Sequence, residues 1–216
     1  MAGSNNLHLG APSEVYFTRA FQSVPIIAIL RGHSPEATVE LCETAWAAGI
    51  EYVEVPIQDR AGVDSLRAAL ATAGGRPVGA GTVIREDQVE LAAGLGAAFA
   101  VAPNWDLPIA RACHNAGLPL LPGVATATEI AAAMSAGFVW LKGFPAAQLT
   151  PAWFRAQHGP FPDAQFVATG GIDVGNADTF LDAGAKVVAV GGALSDPAHV
   201  GELASLMNRR VEGLRA

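Results

Sequence analysis

Residues 165–192 read QFVATGGIDVGNADTFLDAGAKVVAVGG, and their pattern decides the fold. A short apolar run, QFVATGG (165–171), leads into a helix-period segment, GNADTFLDAGA (175–185), and then a second apolar run, KVVAVGG (186–192). Both runs end in a glycine pair. The helical segment stops at Ala183-Gly184, where glycine permits a left-handed exit into the next strand. Short apolar runs bounded by glycine suit strands of a parallel sheet, buried on both faces. The stretch is one strand–helix–strand unit.

The unit recurs in both directions. Further apolar runs are VPIIAIL (24–30), YVEV (52–55), PVGAG (77–81), AFAVAP (98–103), LPLLPG (118–123) and FVWLKG (138–143), making eight in all. Between them lie segments of helical period. SPEATVELCETAWAAG (34–49) offers Ser34 as N-cap, Pro35 at the first helical position and Gly49 as the stop. TATEIAAAMSAG (126–137) pairs Thr126 with Glu129 three residues on, a capping box, and ends at Gly137. A helix near 13–22 precedes the first strand, and one near 197–214 follows the last. Eight such units in 216 residues predict a (β/α)8 TIM barrel with an extra N-terminal helix. The alternative is an open doubly wound sheet. Against it, no G-x-G-x-x-G follows the first strand.

Composition narrows the function classes. The chain is 51% hydrophobic and 15% charged, as expected of a packed globular domain. The net charge of -7, with no basic cluster, excludes nucleic acid as a natural partner. A few local groups can still hold an anionic substrate. No run reaches 18 apolar residues, so no membrane span is expected. The reading is a flexible leader over 1–14 and one cytoplasmic enzyme domain over 15–216. Cys42 and Cys113 fall in helical patterns and read as small buried hydrophobes. His8, His33, His114, His158 and His199 show no metal-ligand spacing, and none is given a catalytic role.

In a barrel of this type the active site lies at the C-terminal ends of the strands. Arg31, Glu54, Thr82, Asn104, Thr126, Thr128 and Lys142 stand there, with the glycine pairs Gly170–Gly171 and Gly191–Gly192. Lys142 is one of only two lysines, and it closes an apolar run. It either extends into solvent from a strand end, or is buried and then paired or held neutral. A neutral lysine is a nucleophile. Alternation places Phe138, Trp140 and Lys142 on one strand face, and Tyr52 and Glu54 on one face of another. If both faces look into the barrel, an amine and a carboxylate meet above an apolar floor. Glu54 equally suits a structural ion pair with Arg31 or Lys142. The glycine pairs suit turns, or a phosphate cradled by backbone N–H groups.

The ordered set EVPI, GAGTV, APN, LPGVATATE, LKGFPA and TGGI resembles the class I 2-keto-3-deoxy-6-phosphogluconate aldolases, over residues 24–194. AILRG and ATATE bring it nearest the branch acting on the 6-phosphogalactonate epimer. The resemblance implies a (β/α)8 barrel, a homotrimer, no metal and no other cofactor, and a phosphorylated keto sugar acid as substrate. It implies Lys142 as the Schiff-base lysine and Glu54 as the acid/base carboxylate. Thr82, Pro103, Phe144, Thr169, Gly170 and Gly171 fall on the family's substrate-binding positions, as does the loop of Gly191 and Gly192. Two positions depart. Gln58 stands where many members have the arginine that binds the pyruvate carboxylate, and Gly192 replaces a phosphate-contacting serine. Arg31, next to strand two, is the cation expected to compensate. Cleavage to pyruvate and glyceraldehyde 3-phosphate is the expected reaction. The alternatives are 4-hydroxy-2-oxoglutarate cleavage, a phosphate-binding isomerase that forms no imine, and a catalytically silent binding protein.

Overall fold

The computed structural model describes residues 8–22, 25–192 and 196–215. Strands and helices alternate: α1 (Ala11–Ala20), β1 (Ile26–Ile29), α2 (Pro35–Ala47), β2 (Tyr52–Pro56), α3 (Arg60–Thr72), β3 (Val78–Gly81), α4 (Glu86–Leu95), β4 (Ala100–Val101), α5 (Leu107–Asn115), β5 (Leu120–Leu121), β6 (Gly123–Val124), α6 (Ala127–Ser135), β7 (Trp140–Gly143), α7 (Ala146–Gln157), β8 (Gln165–Thr169), α8 (Ala177–Asp182), β9 (Val187–Val190) and α9 (Pro197–Arg215). All ladders are parallel, in the order β5-β4-β3-β2-β1-β9-β8-β7-β6.

The two outermost pieces, β5 and β6, are consecutive halves of one stave, and this closes the barrel. The expected fifth run is therefore broken at Pro122. Proline has no N–H for a ladder, so a break there follows from its chemistry. Its carbonyl is still used, accepting from Lys142 N at 2.8 Å. Beyond it, a Cβ on Gly123 would lie 2.2 Å from Pro103 O, so only glycine lets the stave pass the end of β4 this closely.

The helix signals hold locally. Ser34 Oγ accepts from Ala37 N at 3.3 Å. Thr126 and Glu129 form the reciprocal capping box, with Thr126 N donating to Glu129 Oε2 at 2.9 Å. Gly49, Gly137 and Gly184 leave their helices at φ of 85°, 90° and 102°.

The core has two layers. Ile27, Ile29, Phe99, Val101, Leu121, Trp140, Val167, Val187 and Ala189 pack inside the barrel with Phe17. A larger set, including Val53, Val55, Leu141, Phe154 and Phe166, packs between strands and helices. Helix α1 plugs the N-terminal mouth. Phe17 is fully buried, Phe21 lies 5.1 Å from Trp140, and Trp140 Nε1 donates to Thr18 Oγ1 at 3.0 Å. Of the expected leader, residues 1–7 lie outside the described residues. Leu9 and Ser13 are buried, and Ser13 Oγ accepts from Leu120 N at 2.9 Å, so packed structure begins ahead of residue 15. Phe138 does not share the inward face of Trp140 and Lys142: it precedes β7 and packs in the outer layer, 5.5 Å from Trp105. Among the described residues no helix is long and apolar enough to cross a membrane.

Candidate active site

Register brings the amine and the carboxylate together. Glu54 lies in β2, and its backbone is paired with Ile29 of β1 and Gly79 of β3. Lys142 lies in β7, paired with Gly123 and Val167. Both side chains turn into the barrel above the apolar lumen, and both are buried, at 1% and 2% exposure. Lys142 Nζ stands 3.9 Å from Glu54 Oε1, too far for a hydrogen bond. Glu54 Oε1 accepts no hydrogen bond from the protein among the described residues.

Three surroundings act on the Lys142 amine. Burial pushes its pKa down from the ordinary lysine range. The Glu54 carboxylate opposes that, and the Arg31 charge adds to the lowering. The Phe144 ring lies 5.2 Å from Nζ. Next to Lys142 in β7, Trp140 faces the lumen, whereas Leu141 points to the outer layer. Space for Glu54 is made by its neighbour strand: a Cβ on Gly81 would fall 2.2 Å from Oε1 and 2.8 Å from the carboxyl carbon. The glycine of the GAGTV motif is therefore a steric condition of the site.

Thr82 follows directly, at φ 57°. A β-branched residue in the left-handed region is a genuine outlier, costing about 1–3 kcal/mol. Its hydroxyl oxygen lies 3.5 Å from Arg31 Nη2. Arg31 thus spans β2, from the end of β1 to the end of β3. No Arg31–Glu54 ion pair forms among the described residues; the carboxylate's ionic neighbour is Lys142.

Beside this group opens a cavity of about 570 Å³, lined by Ile29, Arg31, His33, Phe144, Thr169, both glycine pairs, Ile172 and Ala189. The two pairs are not equivalent. Gly170 and Gly171 have φ of 97° and 74°, and a Cβ on Gly171 would meet Ala147 Cβ at 2.5 Å. Gly191 and Gly192 are not in the left-handed region, and no described residue lies within 4 Å of a Cβ placed on Gly192. A larger cavity of about 840 Å³ lies at the opposite rim, where Pro25, Gln165 and Lys186 begin their strands; none of the strand-end residues lines it. Lys186 is therefore remote from the amine–carboxylate pair.

Other expected positions divide clearly. Pro103 is half-buried beyond β4, with its carbonyl against Gly123. Asn104 is exposed, and its amide donates to Trp105 O at 3.4 Å. Thr126 caps α6, and Thr128 is exposed on it, so both serve the helix. Gln58 is exposed, past the end of β2. His33, given no role from sequence, lines the cavity from the loop beyond β1, after the bend at Gly32.

Comparison with known proteins places these residues in a family. The model of the KDPG and KHG aldolases matches residues 18–206. The 2-dehydro-3-deoxy-6-phosphogalactonate aldolase of Escherichia coli K12 is 33% identical over 173 residues, covering 79% of this chain and 84% of that one. A native KDPGal structure superposes with a TM-score of 0.80 at 28% identity, covering 89% of this chain and 98% of that one. The KDPG aldolase of Legionella pneumophila, with pyruvate captured as a covalent carbinolamine, gives a TM-score of 0.77 at 27% identity, covering 91% and 96%.

Proposed function

The chain belongs to the KDPG and KHG aldolase family, and from that premise we propose that it is a class I aldolase. It cleaves a 2-keto-3-deoxy-6-phospho sugar acid, of galactonate or gluconate type, to pyruvate and glyceraldehyde 3-phosphate. One observation carries the reading: a buried lysine and a buried carboxylate face each other across 3.9 Å at the C-terminal rim. That gap leaves Lys142 free of a direct hydrogen bond to Glu54.

Lys142 Nζ attacks the C2 ketone to form a carbinolamine, which loses water to give the iminium. Burial favours the neutral amine that this attack needs. Glu54 takes the proton of the C4 hydroxyl, directly or through a water. The C3–C4 bond breaks, its electron pair passes into the iminium as an enamine, and the aldehyde leaves. Glu54 returns the proton to C3, and water releases pyruvate and the free amine. Arg31 and Thr82 hold the substrate carboxylate. Pro103 and Phe144 line the pyruvyl end, and Thr169 with the two glycine pairs takes the phosphate end. The protein works as a homotrimer in the cytoplasm, on the family resemblance and with no membrane-length helix among the described residues.

The test is borohydride reduction in the presence of pyruvate. A reduced adduct on Lys142, absent from Lys142→Ala, is the expected outcome. An adduct that persists in that variant would show that another group forms the imine, and a wild type with no adduct would favour an isomerase. Cleavage rates on the two epimeric 6-phosphates and on 4-hydroxy-2-oxoglutarate identify the substrate.

A further inference from the structure

We propose that His33 is a specificity-determining residue, which binds the substrate phosphate from the β1 side of the cavity. This rests on the reading of the site as one for a phosphorylated keto acid. Ile27 and Ile29 of β1 face the lumen; beyond the strand the chain bends at Gly32, at φ 75°, and Arg31 and His33 on either side of that bend both line the 570 Å³ cavity. Among its described lining residues these two are the only ones able to carry positive charge, and none is a carboxylate.

The sheet order separates their tasks. β1 lies between β2 on one side and β9 on the other, with β3 beyond β2 and β8 beyond β9. Arg31 reaches across β2 to Thr82, toward the β3 side. The glycine pairs stand at the ends of β8 and β9, on the other side. His33 lines the same cavity as these pairs. Its backbone is held, since Ser65 Oγ donates to His33 O at 3.0 Å. Among the described residues its ring has neither a hydrogen-bonding nor an ionic partner. Gly192 supplies no hydroxyl, and among the described residues nothing lies within 4 Å of a Cβ placed there. Backbone N–H groups bring a phosphate hydrogen bonds but no opposing charge, and a donor that also carries charge adds Coulomb attraction to the bond. The His33 ring supplies a further side-chain donor to the same cavity.

The experiment compares kcat/KM for the 6-phosphate substrate and for its unphosphorylated analogue, in wild type, His33→Ala and His33→Lys. Wild type is expected to prefer the phosphorylated substrate. His33→Ala should lose about tenfold or more of that preference, the scale of one charge-assisted hydrogen bond. The loss should appear in KM for the phosphorylated substrate, and His33→Lys should regain part of it. Full preference in His33→Ala, or an equal loss on both substrates, would overturn the assignment of His33 alone. A wild type that traps pyruvate but shows no preference would remove the phosphate site, and His33's role with it, while leaving the aldolase. A wild type that neither traps pyruvate nor cleaves either substrate would remove the underlying reading.

Discussion

Replacing Arg31 with alanine tests how this chain orients a carboxylate without the arginine that Gln58 displaces. A 2-keto acid must present C2 to Lys142 with its carboxylate held, and a guanidinium suits that because its planar fork matches the two oxygens. Arg31 is exposed, and its one hydrogen bond, to Thr82, is 3.5 Å long, at the limit of such contacts. The variant should therefore fold normally, with stability changed by no more than about 0.5 kcal/mol. Hydrogen bonds to a charged group are worth about 1.5–3 kcal/mol, so pyruvate should bind roughly 10- to 100-fold more weakly. A second change has a definite sign. Arg31 helps lower the Lys142 pKa, so its removal should raise it and shift the acidic limb of imine formation to higher pH. The assay is borohydride trapping against pyruvate concentration over a pH series, with thermal unfolding beside it. Adding Gln58→Arg to Arg31→Ala should recover part of the affinity, because residue 58 is exposed just past the end of β2, the strand that carries Glu54. If turnover falls while the dissociation constant for pyruvate holds, Arg31 orients Glu54 and does not touch the carboxylate.

The remaining predictions are shorter. Glu54→Gln should reduce turnover by about 10²-fold, the usual scale for a general acid/base. It removes the one influence that raises the Lys142 pKa, so trapping should persist to lower pH; an unmoved acidic limb would count against the pair. Lys186→Ala should leave trapping intact, since Lys186 starts β9 at the opposite rim; a lost adduct would mean the wrong lysine has been identified. Gly171→Ala places a side chain at φ 74° and 2.5 Å from Ala147 Cβ, at about 2 kcal/mol or more. Its melting temperature should fall by roughly 4–8 °C, on the scaling for a chain of this size. Gly192→Ser meets no described residue within 4 Å and restores a hydroxyl, so KM for the phosphorylated substrate should fall by about tenfold or more, the scale of one hydrogen bond to a charged group. A rise in that KM would mean the serine obstructs the loop.

The parts of this fold that were legible in the sequence are those with local causes. Ser34, Thr126 and the glycines ending their helices satisfy or release backbone groups within a few residues, and the structure uses them that way. Lys142 and Glu54 were legible because a charge inside an apolar run asks for a partner, and alternation limits the face on which it can be met. What escaped depends on neighbours distant in sequence. Leu9 and Ser13 look like part of a polar leader until β5 appears beside Ser13. Phe138 continues the alternation of β7 on paper, yet the strand begins only at Trp140, so its ring packs outward on Trp105. Asp178 and Asp182 of α8 pair with Arg210, and Asp178 also pairs with Arg209, tying α9 down. His33 is a lone histidine in a loop, and only the folded chain brings it to the cavity that the glycine pairs line.

The amine and the carboxylate also show why the site cannot be read as a stabilising feature. A buried ion pair gains less from its own attraction than it loses in hydration unless the geometry is close and the remaining polar atoms are satisfied. Here the separation is 3.9 Å and Glu54 Oε1 has no donor among the described residues. The sign of the pH dependence follows from the lowered lysine. Below its folded pKa, Lys142 is protonated in both folded and unfolded chains, and the full penalty of burying the ammonium is present. Between that point and the ordinary value near 10.5, the unfolded chain holds a proton that the folded chain has shed. The unfolded state then binds more protons, so the Lys142 contribution to stability rises with pH across that window. The same loss of the proton produces the nucleophile. The apolar lumen of Ile29, Trp140 and Val167 beneath the pair thus weakens the fold at low pH and, by the same desolvation, prepares Lys142 to attack a ketone.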